Sequence, residues 1–245
     1  KGFFEKESNN GLENTSGWWN TIKAHDFDQD GDLDFIVGNR GNNSMFKASV
    51  EHPAKIYFGD FDSNKDLDAI PCYYNPIEKN YFPKAGLDQL FMQMKGVRKI
   101  FPNYTSYSRA SLNQIIPDQS QFFMAQTSAS VYVENLGNGK MSVQELPIQA
   151  QFSYVHDILI KDVNKDGEKD VVLVGNNFGV DVNIGKSDAS KGLVLLNKKG
   201  EFKAQSPLES GFSTGNFDTR KIIQISDEIV IVSTNDGPLL FYRNK

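Results

Sequence analysis

Apolar and polar residues alternate with a period of two through much of this chain, and turn residues cut the alternation into short runs. Thr21-Ile22-Lys23-Ala24 and Phe35-Ile36-Val37 flank one turn, and Ile56/Phe58 and Ile158/Ile160 hold matching offsets before two later turns. Hairpins are predicted at each. Residues 131–134 turn through 136–139 into 141–145, residues 193–196 turn at Lys199-Gly200, and residues 221–225 and 228–233 read as one more pair of strands. Two hairpins make a four-stranded sheet, so the chain divides into blade-like units at 17–50, 51–150, 151–208 and 209 onward. The second is too long. Its excess, residues 76–120, carries Leu87, Leu90, Phe91, Met94 and Val97 at helical spacing, which predicts a helical insertion. After Pro102, the positions of Tyr107, Ala110, Ile115 and Ile116 predict a second helix that ends before Pro117.

The turns within three of the hairpins carry the candidate chemistry. Asp26, Asp28, Asp30, Asp32 and Asp34 occupy alternate positions of a nine-residue loop with Gly31 at its sharp turn. Five such carboxylates repel one another unless a cation lies between them. Positions 1, 3, 5 and 9 can converge on one hard cation, with Asp32 offering its backbone carbonyl. An EF-hand would place a glutamate at position 12 and continue into a helix; here position 12 is Val37 and a strand follows. The pattern recurs with Asp60, Asp62, Asn64, Asp66 and Asp68, and again with Asp162, Asn164, Asp166, Glu168 and Asp170. Val37-Gly38-Asn39 also echoes Val174-Gly175-Asn176. This is an internal repeat. Calcium suits such loops better than magnesium, which holds to octahedral geometry and keeps its waters.

The repeated strand, acidic loop, strand unit resembles the FG-GAP/VCBS repeat family, which includes integrin-α-like propellers. Similarity to bacterial secreted members extends over Gly17-Trp18-Trp19-Asn20, the segment from Leu87-Asp88-Gln89-Leu90 through Tyr107, and Asp188-Ala189-Ser190 before Gly192. The resemblance implies an all-β fold: a β-propeller of about four four-stranded blades over residues 1–245, with the 76–120 insertion in blade two. It also implies Ca2+ as the bound ion. Lys65 departs from the loop glycine, Asn64 and Asn164 replace aspartates, and the last repeat has no acidic loop. The loop from Asp26 is therefore expected to bind most tightly, that from Asp162 next, and that from Asp60 least.

Net charge is −5 with the acidic residues clustered, so nucleic acid and anionic lipid are not expected partners. No apolar run is long enough for a membrane helix. The chain opens on Lys1, which fits removal of a signal segment, and the expected location is secreted, periplasmic or cell-surface. The single cysteine, Cys72, lies in an apolar run and reads as a buried, inert thiol.

A binding module for a protein or carbohydrate ligand at the cell surface is the expected function. Lys95, Arg98, Lys99 and Arg109 beside Tyr104 and Tyr107 form one candidate face for a sugar or acidic ligand; Trp18 and Trp19 form another. Gly211-Phe-Ser213-Thr-Gly215 matches a nucleophile elbow only in letters, since a strand is expected after it and not a helix. His25, His52 and His156 lack metalloprotease spacing. The rival reading is a polysaccharide lyase or hydrolase, whose mark would be a histidine, a tyrosine and an arginine converging in one cleft. Finally, residues 239–245 and 2–7 read as two strands of one outer hairpin that would close the ring.

Overall fold

The structure is a computed structural model that describes residues 2–180 and 184–244. In chain order it contains β1 (Thr21–His25), β2 (Asp34–Gly38), β3 (Ala54–Gly59), β4 (Asp68–Asn75) and β5 (Asn80–Pro83), then α1 (Leu87–Gln93), α2 (Val97–Ile100) and α3 (Tyr104–Tyr107). There follow β6 (Gln121–Ala125), β7 (Val131–Asn135), β8 (Met141–Glu145), β9 (Val155–Lys161), β10 (Asp170–Gly175), β11 (Leu193–Lys198), β12 (Glu201–Gln205), α4 (Pro207–Ser210), β13 (Asp218–Gln224), β14 (Ile229–Asn235) and β15 (Leu240–Arg243). The strands form four antiparallel sheets of three or four strands, none closed.

Two compact units divide the chain. The first takes the residues up to Asn14, Trp18–Met45 and Ser128 onward; the second takes Thr15–Gly17 and Phe46–Thr127. In the first unit the sheets run β1-β2-β7-β8, β12-β11-β10-β9 and β13-β14-β15. The hairpin 131–145, expected in the second blade, therefore completes the first. Val131, Tyr132 and Val133 of β7 pair with Val37, Ile36 and Phe35 of β2. What fixes this choice is a clasp at the open end of the hairpin, where Ser130 precedes β7 and Leu146 follows β8. Gln151 Oε1 accepts from Ser130 N, its Nε2 donates to the carbonyls of Ser130 and Leu146, and Ser130 Oγ accepts from Asn39 N. All of these groups are buried, so each would be costly to leave unpaired.

Within this unit β9 lies against both β1 and β13, so the first strands of its three sheets are neighbours. Apolar side chains of the first and third sheets in the chain, among them Phe27, Ile36, Ile158, Val171 and Leu195, form one core. Val172, Val174, Val194, Ile222, Val230 and Val232 form the next, between β9–β12 and β13–β15. The repeated Gly-Asn pair makes the joints. Asn39 O accepts from Val155 N, linking β2 to β9, and Gly175 O accepts from Thr219 Oγ1, linking β10 to β13. A Cβ at Gly175 would lie 1.6 Å from Tyr154 O, so no other residue fits the bulge where β10 ends.

The second unit is the sheet β5-β4-β3-β6, one face of which is covered by the helical segment. Leu87, Leu90, Met94 and Val97 are buried as their spacing predicts, whereas Phe91 stays partly exposed. Cys72 is fully buried among them, and burial pushes its thiol up to about 12. The insertion is less helical than expected. Residues 80–83 are a strand, and after Pro102 only α3 and a single 3-10 turn at Leu112–Gln114 form. Each turn has its own N-terminal cap, Asn103 Oδ1 accepting from Ser106 N and Gln114 Oε1 accepting from Ser111 N, and the extended backbone of Ser111 between them (φ −89°, ψ 153°) splits the segment into two short turns.

The expected closure by the termini does not form among the described residues. β15 pairs with β14 alone, and residues 2–7 make no strand, with Phe3 and Phe4 exposed. Asn10 and Asn9 are instead tied to the start of β8 through Met141 N and Lys140 Nζ.

The joint at Gly175 yields a test. Gly175→Ala should lose on the order of 3 kcal/mol of stability through backbone displacement, while Gly96→Ala, whose Cβ would meet nothing within 4 Å, should stay within about 0.5 kcal/mol. Urea unfolding monitored by circular dichroism measures both; equal effects would remove the joint from the account.

Candidate metal sites

Each acidic loop joins the first two strands of a meander or hairpin: β1 to β2, β3 to β4, and β9 to β10. Their backbones are folded alike. The amide of position 6 donates to the position 1 carboxylate in all three: Gly31 to Asp26 at 3.2 Å, Lys65 to Asp60 at 3.0 Å, and Gly167 to Asp162 at 3.1 Å. The amide of position 7 donates to the side chain of position 5, from Asp32 to Asp30, Asp66 to Asn64, and Glu168 to Asp166. Positions 4 and 6 both take left-handed backbone: Gln29, Ser63 and Lys165 at 4, and Gly31, Lys65 and Gly167 at 6. Lys65, at φ 73°, bears the strain that glycine avoids in the other two loops.

Position 9 anchors the loop. Asp34, Asp68 and Asp170 are buried, and each accepts from the amide of position 2, at 3.1 Å from Phe27, 2.9 Å from Phe61 and 2.8 Å from Val163. Asp34 also accepts from Tyr132 Oη and Asn135 N, and Asp170 from Asn197 N. Burial, reinforced by neighbouring carboxylates, raises Asp68 and Asp170 above the usual carboxylate range, and the same causes raise Asp28. Three raised carboxylates in three crowded loops mark where a cation would relieve the repulsion.

In the first loop Asp26, Asp28 and Asp34 bring one oxygen each within 4.8 Å of one another, and Asp60, Asp62 and Asp68 do the same in the second. Two aspartate triads could therefore hold a metal ion. Asp30, Asp32 and Asp66 lie outside these triads on exposed backbone, as does Asn64. In the third loop Asn164 replaces the middle carboxylate and its Nδ2 donates to Asp166, leaving Asp162 and Asp170 as the equivalent acids, while Glu168 accepts from Lys199 N. The donor set fits a cation on one further observation. Asp26 Oδ1, Asp62 Oδ1 and Asp162 Oδ1 are buried and accept no hydrogen bond, one in each loop. A buried carboxylate oxygen without a donor is costly, and an ion supplies the missing partner.

Sequence reasoning missed the groups outside the loops. Phe27 seats the first loop in the core, and its carbonyl accepts from Asn197 Nδ2 and Gly200 N, so the first and third loops share a support. A signal existed: asparagine closes β7 and stands one residue before the end of β11, in Val-Tyr-Val-Glu-Asn135 and Leu-Val-Leu-Leu-Asn197, and these asparagines serve Asp34 and Asp170 alike.

Other candidate residues are placed as follows. Arg98 pairs with Asp88, to which Tyr104 also donates, and Tyr107 donates to Ala85 O, so the expected basic and aromatic face is largely engaged internally. Trp18 lies beneath the Arg40 guanidinium and Trp19 is partly exposed. The segment Gly211–Gly215 follows the short helix α4 and precedes β13, the reverse of a nucleophile elbow. His25 packs on Phe27 and His52 stacks on Tyr74. At the start of β9, Tyr154 stacks on His156, and Arg220 Nη1 donates to His156 Nε2 at 3.0 Å while its Nη2 pairs with Asp218. Burial and the Arg220 charge hold His156 below the ordinary histidine range. Arg40 also faces the Tyr154 ring.

No family model matches the chain, and no curated protein or solved structure matches it either.

Support and ion binding separate by mutation. Asp34→Ala strands three donors, so it should destabilise the protein by about 3 kcal/mol even in excess chelator. Asp28→Ala removes a crowded carboxylate and should change stability in chelator by less than about 0.5 kcal/mol. Matching losses in the two variants without metal would show that the positions are not distinct in role.

Proposed function

We propose that this chain is a secreted, calcium-binding β-propeller module that recognises a protein or carbohydrate ligand at the cell surface, with Ca2+ in the acidic hairpin loops holding the fold. The observation that carries the reading is the repetition of one loop scaffold three times, each with a buried carboxylate oxygen that lacks a donor. Calcium is favoured because the loops offer many oxygens and flexible geometry, and no nitrogen or sulfur donor stands among them. The propeller reading is supported by the first strands of the three sheets of the first unit, with β9 lying between β1 and β13. Asp26, Asp28 and Asp34 would hold the ion in the first loop, and Asp60, Asp62 and Asp68 in the second. Asp162, Asn164 and Asp170 would hold it in the third. The ion would supply charge neutralisation and no chemistry.

A second reading, a polysaccharide lyase or hydrolase, draws support from the Tyr154, His156 and Arg220 group. A neutral imidazole could take a proton from a sugar carbon acidified by a neighbouring carboxylate that an arginine neutralises. Incubation with acidic polysaccharides and assay for new chain ends tests it: ends that form with the native protein and not with His156→Ala favour the enzyme.

For the calcium reading, millimolar Ca2+ should raise Tm by on the order of 5–10 °C over excess chelator, because an ion bound only by the folded state stabilises it by linkage. Asp28→Ala should remove more of that rise than Asp62→Ala, since Lys65 already strains the second loop. Coincident melting curves in the two buffers would sink the proposal, and the opposite order of variants would sink the ranking.

A further inference from the structure

The second compact unit contains a pocket of about 490 Å³ that none of the acidic loops touches. Its aromatic wall is Tyr57 on β3, Tyr81 on β5 and Phe122 on β6, and its opposite wall is the segment from Ser111 to Ser120. The sequence places these rings deliberately: Tyr57 and Phe122 are cross-strand partners on one face of the sheet, and Lys55 stands two residues before Tyr57 on that same face. Lys55 does not itself line the pocket but stands against its aromatic wall, with the ammonium 4.6 Å from the centroid of Tyr81, 4.5 Å from that of Phe122 and 5.9 Å from that of Tyr57. Among the described residues it has no carboxylate within ion-pair distance and donates no hydrogen bond, so its charge is met by ring faces alone.

The polar groups around the mouth are neutral but for one. Asn80, Asn113 and Gln119 present amides, Ser111 and Ser120 hydroxyls, and Asp118 the one carboxylate. Asn80 Oδ1 accepts from Tyr81 N and Asn113 Oδ1 from Ser111 Oγ, but among the described residues the amide hydrogens of Asn80, Asn113 and Gln119 bond no protein atom. Neutral amides and hydroxyls both give and accept hydrogen bonds, which matches a ligand dense in hydroxyl groups. Aromatic faces match the apolar C–H faces of pyranose rings, and the volume lies in the range of small-ligand sites.

We propose that this pocket binds an acidic oligosaccharide, with Tyr57, Tyr81 and Phe122 lying against sugar faces, the amides of Asn80 and Asn113 on its hydroxyls, and Lys55 Nζ paired with a uronate carboxylate. The proposal deepens the binding-module reading by naming a ligand class, and it does not depend on calcium. Burial raises Tyr57 and Tyr81 above the ordinary phenol range, so both stay neutral donors at physiological pH.

Calorimetric titration of the full chain tests the site with two probe sets, uronate tetrasaccharides of several linkages and neutral tetrasaccharides of glucose, galactose and mannose, each in calcium and in chelator. At least one uronate probe should bind and the neutral set should bind at least about tenfold more weakly. Phe122→Ala and Lys55→Met should each weaken uronate binding by about tenfold or more, with far-ultraviolet circular dichroism unchanged. Phe122 is 42% exposed, so its truncation leaves the buried core intact. Absence of uronate binding, equal binding of neutral probes, or wild-type affinity in both variants would overturn the assignment. Calcium-independent melting alongside uronate binding would overturn the calcium reading alone.

Discussion

A carboxylate buried at the base of each acidic hairpin is the constraint on which much else depends. Asp34, Asp68 and Asp170 are removed from water at the first residue of a central strand, where an unpaired charge would unfold the hairpin. Each is tolerated because the loop folds back to bring the position 2 amide onto it, and that turn sets the direction of everything between positions 2 and 9. In the first and third loops the same carboxylate also takes an amide from the next strand of the sheet, so it fixes strand order as well as loop shape. The second loop lacks that bond, and its sheet has a different order, with β6 added beside β3.

Holding these loops in one shape has an electrostatic cost that the backbone alone does not offset. Loop amides satisfy one oxygen of Asp26 and of Asp162 and both oxygens of Asp60, yet one buried carboxylate oxygen per loop, on Asp26, Asp62 and Asp162, remains without a donor, and burial, reinforced by neighbouring carboxylates, raises Asp28, Asp68 and Asp170. A cation between them would remove the repulsion and supply the missing partner together. Lys65 is accommodated at positive φ, at roughly 1 kcal/mol, with its amide still bonded to the position 1 carboxylate, although the position 5 amide of Asn64 turns to Asp60 where Asp30 and Asp166 bond the position 3 side chain.

The opposite end of the first unit is built differently. There Gly38-Asn39 and Gly175-Asn176 bring backbones into direct contact, and Asn176 bridges Ser190 and Phe217 through its amide. The repeat thus carries two devices, an acidic turn at one end of the central strand and a glycine joint at the other. The cluster of Tyr154, His156 and Arg220 lies beside this joint, on elements whose positions the joint sets.

Much of this was legible in the residues. Period-two alternation located the acidic hairpins and the pairs within 131–145, 193–204 and 221–233, because a strand half buried on one face writes its pattern locally. Loop spacing identified the acids and the strained Lys65, since turn geometry is also local. Sequence could not decide which sheet the 131–145 hairpin joins, because its pairing with β2 depends on the Gln151, Ser130 and Asn39 clasp, whose members are over a hundred residues apart in part. Nor could it show that residues 2–7 leave β15 paired with β14 alone among the described residues, or bring the Lys55 ammonium against the rings of Tyr57, Tyr81 and Phe122. Alternation determines that a strand exists and which face it buries; the neighbour it pairs with is chosen by buried hydrogen-bonding groups that only the folded chain brings together.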